Sequence, residues 1–69
     1  MPNSTYQVID LIGSSADTWE SAAGNAVQEA STLSHVLRVA EIVRLDVIIE
    51  DGTIVSYRAQ VRLSYNNTT

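Results

Sequence analysis

Asp46, Glu50 and Asp51 are the one cluster of side chains in this 69-residue sequence suited to a hard cation, because calcium and magnesium take oxygen ligands. Their spacing does not make the Asp-x-Asp-x-Asp-Gly loop of an EF-hand, so taken alone they read first as a solvated hairpin end. Arg58 and Arg62, four residues apart on one strand face, have the chemistry to grip an anionic ligand. Arginine serves interface ion pairs equally well, and Glu41 or another carboxylate would satisfy either of them. His35 has no cysteine and no second histidine near it, which favours a satisfied turn residue over a metal ligand. Trp19 offers a stacking surface but opens an apolar helical stripe, which favours packing. No Gly-x-Ser-x-Gly elbow, phosphate loop or dinucleotide fingerprint is present, and Gly13-Ser14-Ser15 is accounted for as a strand-to-helix turn, so an enzyme is not expected.

The elements that must position these residues follow from periodicity. Thr5 to Ile12 is rich in β-branched and aromatic residues and stops at Gly13, which predicts a first strand. Ser15 or Asp17 then caps a helix that begins near Ala16, with Asp17-x-x-Glu20 resembling a capping box. Trp19, Ala22, Ala23, Ala26, Val27, Ala30 and Leu33 recur at helical spacing and make a shallow apolar stripe, interrupted by Gly24. Leu37–Glu50 alternates without proline or glycine and predicts one long strand. Asp51-Gly52 is a two-residue hairpin signal, and Thr53 to about Tyr65 is the third strand. At about 3.3 Å per residue the second strand outreaches any helix that could cover it.

An uninterrupted two-residue register sets Glu50 opposite Thr53 and Glu41 opposite Arg62. It also puts Val39, Val43, Leu45, Val47 and Ile49 on the side of Arg58, Gln60 and Arg62. Arg44 and Asp46 then fall on the other side, with Tyr57, Ala59, Val61, Leu63 and Tyr65. One helix covers one side of a sheet, so apolar residues on the other predict burial against further subunits.

Size and composition press the same way. A chain this short buries only about 60% of the surface its unfolded form exposes, and it has no cysteine for disulfides, which leaves oligomerisation as the source of stability. Eight carboxylates face four basic residues, all arginine, for a net charge of −4, so no basic patch exists for nucleic acid. No apolar stretch approaches the roughly 20 residues that span a bilayer, and Met1-Pro2-Asn3-Ser4 lacks the charged and apolar regions of a signal peptide. The expectation is a single cytoplasmic domain over residues 1–69, without nucleic-acid or membrane partners, of α+β class: a β-α-β-β subunit whose three-stranded antiparallel sheet packs on one helix.

The element order, the opening Tyr6-x-Val8-Ile9-Asp10-Leu11-Ile12-Gly13-Ser14-Ser15, the segment Trp19-Glu20-Ser21-Ala22 and the hairpin up to Tyr57-Arg58 together resemble a dodecin over nearly the whole chain. The resemblance implies a hollow homododecamer that binds a small ligand without catalysis. In flavin-binding dodecins a tryptophan on the second strand stacks on the isoalloxazine ring and a glutamine on the third bonds its polar edge. The matching positions here are Val39 and Arg58, both changed. Valine offers no π-face, and arginine has no acceptor. Arg38-Val39-Ala40 with Asp46 and Tyr57-Arg58 is more similar to the divergent calcium dodecins. That likeness implies calcium or another ligand in place of flavin. Ordinary flavin storage, and a shell with no specific ligand, are the alternatives.

Overall fold

The turn at Asp51-Gly52 sets the architecture. Both residues have positive φ, 52° and 74°, as a type I′ turn requires. They join β2 (Leu37–Glu50) to β3 (Thr53–Asn66) in an antiparallel hairpin of two 14-residue strands. A computed structural model describes residues 6–33 and 37–66 of the chain. Ahead of the hairpin lie β1 (Tyr6–Ser15) and α1 (Trp19–Leu33), which gives the order β-α-β-β. β1 pairs antiparallel with β3, so the sheet order is β1-β3-β2 and the last strand is central. His35 lies outside the described residues.

The first strand is longer than its sequence predicts. Gly13, Ser14 and Ser15 continue the ladder, opposite Ala59, Arg58 and Tyr57, rather than turning. Gly13 stays in the strand because the helix crosses directly over it. A Cβ there would collide with the carbonyl oxygen of Ala22 and stand 3.0 Å from the Cβ of Ala26. Gly24 has no such reason, since no atom of the described residues lies within 4 Å of where its Cβ would be.

The helix also starts later than expected, at Trp19 rather than near Ala16. Ser15 does accept from a backbone amide, that of Asp17 at 3.0 Å, but this bond closes the turn. The cap is Thr18, whose Oγ1 accepts from the Ser21 amide at 2.9 Å and whose carbonyl accepts the first helical bond, from Ala22. Asp17 and Glu20 therefore form no capping box.

Ala22, Ala26 and Ala30 of the helix meet Ala59, Val61 and Leu63 of β3, and these six residues are the buried core. Ile9, Leu11, Ala23 and Leu37 pack at its border. Because the helix stripe is alanine, the helix sits low on β1 and β3 and barely reaches β2. Fifteen helical residues span about 22 Å, against about 46 Å for a strand of the hairpin. The chain is accordingly drawn out to 56 × 19 × 13 Å, and much of the hairpin projects past the helix.

Two bulges decide which side chains share a face. Ile49 pairs with Ile54 but Ile48 pairs with Ser56, leaving Val55 over; further along, Arg44 pairs with Gln60 and Ile42 with Val61, leaving Val43 over. The second offset cancels the first, so Glu50 faces Thr53 and Glu41 faces Arg62 as the simple register requires. Between the bulges every side chain of β2 is on the other side from that register. Leu45 and Val47 come opposite Ala59 and Tyr57 on the helix side, and Arg44 and Asp46 join Gln60 and Arg58 on the open side. The expectation of an apolar row from Val43 to Ile49 beside the arginines is thus overturned, while Val39, opposite Ser64, keeps its place.

Candidate functional site

The open face of the sheet is a small checkerboard of charge. Across the three strands Asp10 lies opposite Arg62 and Arg62 opposite Glu41; Ser14 lies opposite Arg58 and Arg58 opposite Asp46. Between those rows runs Ile12, Gln60 and Arg44. Pleating turns the even residues of β3 outward, and the two bulges bring Arg44 and Asp46 of β2 to that same side.

Arg58 and Asp46 make the tighter pair. Nε and Nη2 of the guanidinium donate to the two carboxylate oxygens at 2.8 and 2.7 Å, a bidentate fork that is part-buried. The Arg58 hydrogen bonds hold the Asp46 carboxyl below its ordinary value, assisted by the fields of Arg58 and Arg44, and Asp46 in turn raises Arg58. The backbone of Asp46 is fixed as well: the Trp19 indole N–H donates to its carbonyl oxygen at 3.1 Å. The Trp19 ring meets Tyr57 edge-on, with centroids 5.1 Å apart and planes at 77°. Trp19 is 41% exposed, so its packing lies at the helix start and not in the buried core.

Arg62 turns to Asp10 on β1 rather than to Glu41, with Nε and Nη2 donating at 3.0 and 3.3 Å. The Asp10 hydrogen bonds raise Arg62, and Glu41 adds only a distant field. Asp10 went unnoticed in the sequence because the pairing of β1 with β3 spans a helix and no turn fixes its register.

Val39 and Arg58 are not brought together within one chain. Val39 lies opposite Ser64, six residues along β3 from Arg58, which is roughly 20 Å at strand spacing. Val39 is 57% exposed. Asp46, Glu50 and Asp51 do not converge either: no group of three or more histidine, cysteine or acidic side chains placed to hold a metal ion occurs among the described residues. Asp46 is engaged by Arg58, and Glu50 and Asp51 are exposed at the hairpin end.

The β-α-β-β order with three antiparallel strands and one helix recurs in known proteins. The dodecin family model matches residues 5–67. The chain belongs to the dodecin family. Dodecin from Streptomyces coelicolor has the same fold, with a TM-score of 0.91 at 30% identity over 100% of this chain and 99% of that one. Calcium dodecin of Mycobacterium tuberculosis is 37% identical over 62 residues, which is 90% of this chain and 87% of that protein. The crystal structure of calcium dodecin, described as a calcium-chelating antigen with a novel calcium-binding site, superposes with a TM-score of 0.81 at 36% identity. The match covers 88% of this chain and 87% of that one. Among the described residues no helix is long and apolar enough to cross a membrane.

Proposed function

We propose that this dodecin is a non-enzymatic binding and storage subunit that works as a hollow homododecamer and holds calcium, or another ligand of that kind, in preference to flavin. The observation that supports this most directly is the pair of changed positions in their setting. Position 39 presents an exposed valine where a flavin dodecin stacks an indole, and position 58 presents a guanidinium whose Nε–Nη2 edge is occupied by Asp46. Neither can form the stacked, donor-and-acceptor contact that an isoalloxazine ring requires. Because the two positions are far apart in one chain, a ligand touching both takes them from different copies. The same holds for calcium, which takes six to eight oxygens, whereas no three acidic side chains converge among the described residues.

Assembly is supported by what the single chain leaves uncovered. Leu45, Ile48, Ile49, Ile54 and Val55 are 38–60% exposed, and among the described residues the largest fully buried side chains are Leu63 and Val61. Calorimetric titration of the purified assembly with calcium, magnesium and riboflavin tests the ligand. Saturable heat with calcium and none with low-micromolar riboflavin is expected; saturable riboflavin binding with no response to calcium would return the protein to flavin storage.

A further inference from the structure

The paired bulges have a specific product. Without Val55 and Val43 set out of the ladder, Arg58 would face Leu45, and Arg44 and Asp46 would point toward the helix side. With them, two guanidiniums and one carboxylate share a part of the open face in a strip of polar neighbours, Gln60 opposite Arg44 and Ser14 opposite Arg58. Bulges break ladder hydrogen bonds, and in sheets they commonly re-aim a side chain beside a site.

Within this group Asp46 is consumed. Both of its oxygens are taken by Arg58, and its backbone is tied to Trp19, so the direction of the Arg58 fork is fixed from behind. The fork engages Nε and one Nη2 hydrogen, which leaves the end-on pair, one hydrogen on each terminal nitrogen, as parallel donors. Arg44 occupies the diagonal position one row away, about 7–8 Å between backbones, within reach of the same point for a side chain of its length. Among the described residues Arg44 makes no ion pair. A donor–donor edge beside a second guanidinium complements two adjacent acceptors carrying negative charge, and it does not complement an amide-like edge, which needs an acceptor in return.

We infer that Arg44 and the end-on fork of Arg58 form an oxyanion-binding site, taking a carboxylate or phosphate-ester group of a small ligand, with Asp46 as the residue that positions Arg58. This rests on the reading of the protein as a ligand-binding assembly but not on calcium as the ligand. The test is ligand-observed saturation-transfer NMR on the intact assembly with three probes of one ring size: benzoate, phenyl phosphate and benzamide. Benzoate or phenyl phosphate should bind saturably and about tenfold more tightly than benzamide, as one charge-assisted bond is expected to discriminate. The tighter of the two identifies the oxyanion. Arg44→Gln and Arg58→Gln should each remove most of that preference; Arg44→Gln leaves the Asp46 pair intact and so serves if the other variant fails to assemble. Equal binding of all three probes, or a preference unchanged in Arg44→Gln, would overturn the inference. A shell that still assembles and binds calcium while ignoring every probe overturns this site alone, whereas loss of both responses removes the ligand-binding reading itself.

Discussion

The end of the sheet under the helix and the end of the hairpin beyond it are built on opposite terms. Under the helix the contact is close: three alanines set on Ala59, Val61 and Leu63, with Gly13 admitting the helix backbone. Beyond it the strands run on, rich in isoleucine and valine, yet Ile49, Ile54 and Val55 are 60%, 50% and 40% exposed and meet no second layer among the described residues. The covered end shows how little core 69 residues can close, and the bare end shows where the missing burial must come from.

The largest effect is expected at the covered end. Gly13→Ala drives a Cβ into the Ala22 carbonyl, a backbone atom that cannot step aside, so the cost should exceed the ~3 kcal/mol typical of severe overpacking. Thermal unfolding would show it as a sharp loss of melting temperature or of soluble protein; a near-normal melt would mean the helix does not lie as close as described. At the bare end, Ile49→Asp touches a residue 60% exposed in one chain, so a monomer should tolerate it. In an assembly that covers the strand it leaves an unpaired buried charge at a cost of several kcal/mol, and sedimentation should show the particle dispersed. An intact particle would mean this end faces solvent in the assembly. Thr18→Ala removes the helix cap and should cost about 1 kcal/mol by chemical denaturation, since only local amides lose a partner.

The smallest expected effect belongs to the Asp46–Arg58 pair, which is part-exposed and screened. Its carboxyl titrates below the ordinary value in the folded chain, so the stabilisation is complete above the unfolded carboxylate range and fades as pH falls through the lowered folded value. Acid unfolding of Asp46→Asn should therefore depend less on pH below about 4 than that of the wild type. Identical acid profiles would show that the pair contributes nothing in solution.

The same two regions differ in how legible they were. β2 and the Asp51-Gly52 turn could be read directly, because alternation and a two-residue hairpin signal are local. The family resemblance was legible too, and the matches to dodecins bear it out. The boundaries around Gly13–Thr18 were misplaced since a glycine and two serines suit a turn as well as a strand lying under a helix. The faces of Arg44 to Ile48 were inverted because a bulge moves every side chain between it and its compensating partner, and nothing in Val43 or Val55 signals one. That inversion is also why the Asp46–Arg58 fork, the shorter of the two ion pairs on the open face, could not be anticipated from a simple register.

Light scattering after size exclusion, run with and without added calcium and riboflavin and with bound ligand assayed in the eluted peak, tests the central claim most directly. The account expects a particle of twelve chains in both runs, with calcium and without flavin in the peak of the first. A folded monomer would contradict it, for then the bare end of the hairpin would need no partner.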